Sequence, residues 1–124
     1  PHAVFTDPQI AAVGATEEQL QGWGTPYVEF KQRYADVAFG WALEDEGHFV
    51  KLLADPRTWH LLGAHIIGPQ AATLIQPMIQ AMSFGQTVQE LARGQYWIHP
   101  ALTEVLENAL LGLLKVPRPK ELNA

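Results

Sequence analysis

The stretch from Phe49 to Ile67 leaves this chain few choices. Two apolar, strand-like runs, Phe49 to Ala54 and Trp59 to Ile67, are separated only by Asp55-Pro56-Arg57-Thr58, a proline-initiated turn. A link that short cannot carry the chain back to the start of a parallel neighbour, so the two runs are expected to be antiparallel strands of one hairpin. The period then changes after Gly68-Pro69. Ala72, Ile75, Ile79 and Met82 fall at helical spacing, with Pro77 inside the pattern as an expected kink or local irregularity and Phe84-Gly85 closing it.

The remaining segments fit around this frame. Ala3 to Pro8 reads as a short strand ended by a turn, Ala11 to Gly14 as a second extended piece, and Tyr27 to Arg33 as a third strand; Asp36 to Trp41 reads equally as a helical turn or a loop. Thr16-Glu17-Glu18-Gln19 and Thr87-Val88-Gln89-Glu90 are capping-box starts of short helices, stopped by Gly22 and Gly24 and by Gly94. A last helix is expected from about Ala101 to Leu114, with Leu102, Val105, Leu106, Ala109, Leu110, Leu113 and Leu114 on a broad apolar face. Strands first and helices later predict an α+β domain, an antiparallel sheet with helices packed on one face. The 124 residues, 48% hydrophobic, suffice for one core, placed at 1–115 with a loosely ordered tail at 116–124.

Several function classes are disfavoured. The net charge is −5, and the only close basic set, Lys115, Arg118 and Lys120, lies in that tail, so neither nucleic acid nor an anionic membrane is an expected partner. No apolar run reaches the roughly 20 residues of a membrane span, and no signal-peptide layout is present. The absence of cysteine suits a cytoplasmic protein. The five histidines, His2, His48, His60, His65 and His99, include no HExxH and no i, i+4 helical pair, so no metal site is expected. His60 and His65, five apart on an expected strand, would face opposite ways as hydrogen-bonded core or interface residues. There is no GxGxxG, Walker-type loop or GxSxG. Gly63 and Gly68 read as bulge or turn devices.

His99 stands apart because of its neighbours. Pro100 holds it in extended backbone at a helix entrance, and Glu104 lies in the first turn, where the helix dipole favours a carboxylate. A carboxylate there can accept from one imidazole nitrogen, fix the tautomer and leave the other nitrogen to exchange a proton. The same spacing also suits a plain helix-entry residue beside an N-terminal acid.

Four segments in order, "VFTDPQIAAVGATEEQL", "GHFVKLLADPRTWHLLGAHIIGPQAATLIQ", "MSFGQTVQELA" and "HPALTEVLENAL", resemble the C-terminal dimerisation (interface) domain of the flavoprotein disulfide reductases, the pyridine nucleotide-disulfide oxidoreductase family. They span nearly the whole chain, and "GQYWIHPALTEVLENALLGL" resembles the mycothione reductase branch most. The resemblance implies that His99 and Glu104 are a catalytic acid/base pair, that the His99-Pro100 bond is cis, and that His99 and Pro100 approach the flavin of the partner subunit in a homodimer. It further implies FAD and NAD(P)H as cofactors, bound by domains N-terminal to Pro1 and not by this chain alone, and a low-molecular-weight or lipoyl disulfide as substrate. Activity is then expected of the longer protein, not of this part of it. Relatives often carry Thr or Ser after His-Pro; here Ala101 offers no hydroxyl cap, which leaves the helix start open. The broad face of the last helix and the strand carrying His65 are candidate dimer surfaces. The alternatives are a stand-alone dimerisation or binding module without chemistry, and a family member such as an NADH oxidase or transhydrogenase, against which HPxxxE weighs.

Overall fold

The structure is a computed structural model that describes residues 1–37 and 47–118. Five strands, β1 (His2–Val4), β2 (Ile10–Gly14), β3 (Val28–Arg33), β4 (Phe49–Ala54) and β5 (Leu61–Ile67), form one sheet in the order β1-β2-β5-β4-β3, every pair antiparallel. The helices are α1 (Glu17–Trp23), α2 (Ala71–Leu74), α3 (Gln76–Phe84), α4 (Val88–Arg93) and α5 (Glu104–Lys115). The expected hairpin is β4–β5, and the α+β class follows from the sequence order as anticipated.

Side-chain alternation sorts the two faces of the sheet. Ala11, Val13, Val28, Val50, Leu52, Ala54, Ala64 and Ile66 point into one core that α2 to α5 complete with Ala71, Leu74, Met78, Val88, Leu91, Val105, Leu106, Ala109, Leu110 and Leu113. The opposite face carries Lys51, between Val50 and Leu52, and there the short α1 docks: Glu17 forms an ion pair with Lys51, and Leu20 is buried. The loop into α1 crosses so close to β5 that any side chain at Gly63 would run into the carbonyl of Ala15. On the helical side, a side chain at Gly112 would overlap the Phe30 ring, so glycine lets α5 lie directly on β3.

Some boundaries move, each for a physical reason. β5 starts at Leu61 rather than Trp59, because Trp59 has a positive φ of 61° inside the turn, where its N–H donates to the carbonyl of Asp55 (2.8 Å); His60 pairs outward with Thr87. Pro77 lies in the first turn of a separate helix, α3, which is how the expected irregularity is realised, instead of kinking one long helix. The break at Ile75 also turns the buried stripe: Ala71, Leu74, Ile75, Met78 and Ala81 are inside, while Ala72, Ile79 and Met82 are only partly covered. Tyr34–Asp36 is a turn of 3₁₀ helix, and 38–41 of the ambiguous stretch lie outside the described residues. In the tail, Val116 packs on the core and Arg118 donates to the carbonyl of Pro56; 119–124, with Lys120, lie outside the described residues.

Of the dimer surfaces suggested by the sequence, the α5 face is covered within the domain, while the face of β5 that carries His65 stays partly exposed. Val105, Leu106, Ala109, Leu110 and Leu113 are fully buried within the domain itself, and β5 is the central strand, bonded on both sides. Among the described residues, the large apolar side chains left exposed are Phe5, Trp23, Phe84, Tyr96 and Ile98, with Val4 and Ile10 less so.

Candidate functional site

α4 ends at Arg93 and α5 begins at Glu104, and the ledge between them carries His99. The peptide bond His99-Pro100 is cis, as the resemblance implies; so is Asp7-Pro8. The His99 side chain is 67% exposed, whereas the Glu104 side chain beside it is only 14% exposed, so an accessible imidazole stands on a sheltered carboxylate. Their contact is short: His99 Nδ1 lies 2.7 Å from Glu104 Oε1. An ionised carboxylate only accepts, so Nδ1 carries the proton, and Nε2 is the nitrogen left for chemistry.

The same Oε1 also accepts the backbone N–H of Ala101 at 3.1 Å. This explains how the helix starts without a hydroxyl at position 101: the glutamate side of a capping box is present and the Ser/Thr side is missing. α5 is consequently entered through tight turns, with Glu104 N–H on the carbonyl of Ala101 and Val105 N–H on that of Leu102, and regular helix begins at Glu104 rather than Ala101. The Glu104 carboxyl is held below the ordinary carboxylate range, chiefly by the His99 hydrogen bond, against an opposing cost of burial and with help from Ala101 N–H.

The other histidines have separate fates. His65 is half-buried, with Nε2 2.9 Å from the carbonyl of Ala15, and His60 Nε2 lies 3.1 Å from the carbonyl of Gly85; both are hydrogen-bonded as anticipated, but His60 is exposed and precedes β5, so it is not a core strand residue. His48 meets the Tyr34 ring edge-on, and His2 lies on edge strand β1. Among the described residues no group of three His, Cys, Asp or Glu side chains could hold a metal ion. Nor is any helix there long and apolar enough to cross a membrane. Two polar contacts on the ledge were not foreseen. Gln95 and Trp97 both reach back to α4, and a Gln or Trp just past a helix stop is a weak signal in sequence alone.

Residues 1–110 match the family "Pyridine nucleotide-disulphide oxidoreductase, dimerisation domain", and the chain belongs to it. It is 64% identical over 113 residues to mycothione reductase of Mycobacterium tuberculosis, a match that takes in 91% of this chain and 25% of that protein. Mitochondrial dihydrolipoyl dehydrogenase of Caenorhabditis elegans is 38% identical over 90% of this chain and 22% of its own length. The solved structure of LpdA from Mycobacterium tuberculosis superposes with a TM-score of 0.82 at 27% identity, covering 89% of this chain and 24% of that one. The HOCl-induced flavoprotein disulfide reductase RclA of Escherichia coli shares the fold at a TM-score of 0.81 and 24% identity, over 89% of this chain and 25% of that one. The chain thus spans about a quarter of the length of the relatives it matches.

Proposed function

We propose that this domain supplies the proton donor and acceptor of a homodimeric, NAD(P)H-dependent flavoprotein disulfide reductase of the mycothione reductase type, His99 and Glu104 being the acid/base pair. The observation that carries this is the 2.7 Å contact between an exposed imidazole and a sheltered carboxylate in a chain of this family. The chain has no cysteine and no dinucleotide fingerprint, so the redox disulfide, FAD and NAD(P)H would belong to the rest of the protein. FAD would supply the passage of reducing equivalents from the nicotinamide to that disulfide. What this chain offers the flavin of a partner subunit is the open His99-Pro100 ledge, both residues being exposed.

The proton accounting follows from the tautomer. A protein thiolate attacks one sulfur of the substrate disulfide, a mixed disulfide forms, and the other sulfur departs as a thiolate of pKa about 8.5. Protonated His99 gives its Nε2 proton to that sulfur, and the imidazolium is stabilised until then by the Glu104 carboxylate on Nδ1. In the reverse direction neutral His99 takes the proton from a dithiol. Glu104 stays ionised throughout, because the contacts that lower its pKa favour the charged form.

The test is turnover of the full-length protein. It is assayed with NADH and NADPH against glutathione, lipoamide and mycothiol disulfides, beside His99→Ala. The expected result is a flavin spectrum, turnover on one of these disulfides, and a loss of about 10² to 10⁴ in rate for the variant. A colourless protein, or one indifferent to the loss of His99, would leave the domain as a scaffold without chemistry.

A further inference from the structure

His99 sits on a run with no regular structure of its own, between the stop of α4 at Gly94 and the first residue of α5 at Glu104. Glu104 grips the imidazole from ahead. What steadies the backbone from behind is a pair of side chains. Gln95 Nε2 donates to the carbonyl of Leu91 (3.0 Å), and Trp97 Nε1 donates to the carbonyl of Ala92 (3.1 Å). Both acceptors lie in the last turn of α4, where carbonyls have no partner within the helix. The Trp97 ring packs against the core, while Tyr96 on one side is fully exposed and Ile98 on the other is 75% exposed, so the ledge has one inward anchor between two outward residues. α4 is itself fixed: Thr87 and Glu90 close a capping box, Val88 N–H donates to the carbonyl of Trp59 (2.8 Å), and Thr87 bridges His60 beside the β4–β5 turn.

We propose that Trp97 and Gln95 are positioning residues for His99: by bonding the ends of their side chains to α4 they fix the backbone that presents the imidazole, without touching the reacting atoms. This rests on the acid/base reading of His99. Proton transfer requires the imidazole within hydrogen-bond reach of the departing sulfur, and a displacement of about 1 Å costs about 10²-fold in rate. Glu104 fixes the tautomer and holds the far end of the ledge through Ala101 N–H, while Gln95 and Trp97 hold the near end, and the ring moves with the ledge.

The experiment uses the full-length flavoprotein carrying Trp97→Phe or Gln95→Ala, each alone and combined with His99→Ala. It measures kcat and KM for the disulfide at saturating nicotinamide, together with flavin content and melting temperature. Trp97→Phe keeps an aromatic ring in the core and removes the N–H donor; should it fail to fold, Gln95→Ala, at an exposed position, carries the test. We expect about a tenfold fall in kcat for Trp97→Phe and about threefold for Gln95→Ala, with KM unchanged. In the His99→Ala background neither should lower the residual rate further, since no imidazole is left to place. Equal losses in both backgrounds, or an intact kcat in both single variants, would overturn the positioning role while leaving the acid/base reading standing. An intact rate in His99→Ala itself would overturn that reading and the inference built on it.

Discussion

α4 and α5 each carry in their first turn a glutamate whose side chain reaches back to a backbone N–H three residues earlier, yet the two carboxylates do different work. At α4 the exchange is closed. Thr87 Oγ1 accepts from Glu90 N–H at 3.2 Å, and Glu90 Oε1 accepts from Thr87 N–H at 3.0 Å. At α5 the hydroxyl is missing, and Glu104 Oε1 divides itself between Ala101 N–H and His99 Nδ1. Both carboxyls are held low, Glu90 chiefly by Thr87 N–H and Glu104 chiefly by His99. The contrast shows how a structural cap becomes a functional support: the local bond is kept, and the oxygen's spare capacity is turned outward.

Charge removal breaks the comparison most sharply. Glu104→Gln in the full-length protein is expected to lower kcat about tenfold, less than His99→Ala, because an imidazolium loses its counter-charge but keeps a neighbour. Glu90→Gln should leave kcat unchanged, since an amide oxygen still completes the box. Equal effects on turnover from the two would erase the distinction. Acid gives a smaller effect shared by both helices. Each carboxyl binds its proton less readily folded than unfolded, so stability rises with pH: the contribution is complete above the ordinary carboxylate value of 4.5 and is lost as pH falls through the lowered folded values. Melting temperature followed from neutral pH downward should decline across that window, and Glu104→Gln should flatten the decline; an unaltered slope in both Gln variants would remove these groups from the account. The smallest effect is a gain. Ala101→Thr restores the hydroxyl and should stabilise the domain by about 0.5 kcal/mol in denaturant unfolding, whereas no gain would mean that the tight-turned entry has no room for a hydroxyl cap.

Local chemistry was legible and relative placement was not. Thr16 and Thr87 announced their helices because a capping box is complete within four residues, and the β4–β5 hairpin was forced by its link. The contact between His99 and Glu104 could be read from spacing, because both residues belong to one helix entrance. Of the stripe Ala72, Ile75, Ile79 and Met82, only Ile75 is buried, because Ile75 separates two helices and the core-facing side shifts to Ala71, Leu74, Met78 and Ala81. The face of α5 was read correctly as apolar, but pattern alone does not say whether its cover is the chain's own sheet or a second molecule; here Phe30 and the sheet cover it. Trp97 and Gln95 escaped notice because their partners are backbone carbonyls, which every residue possesses.

The strand order has a consequence for synthesis. β1 bonds only β2, and β3 bonds only β4, so the two pairs made first share no hydrogen-bonded edge. β5 joins them, and its last residue is Ile67. On a ribosome the growing chain therefore carries two disconnected hairpins until that strand emerges, with edges open to stray pairing. α5, which must lie across β3 and β4, arrives later still. Closure of the sheet is a long-range event, because β2 meets β5 across the intervening β3 and β4.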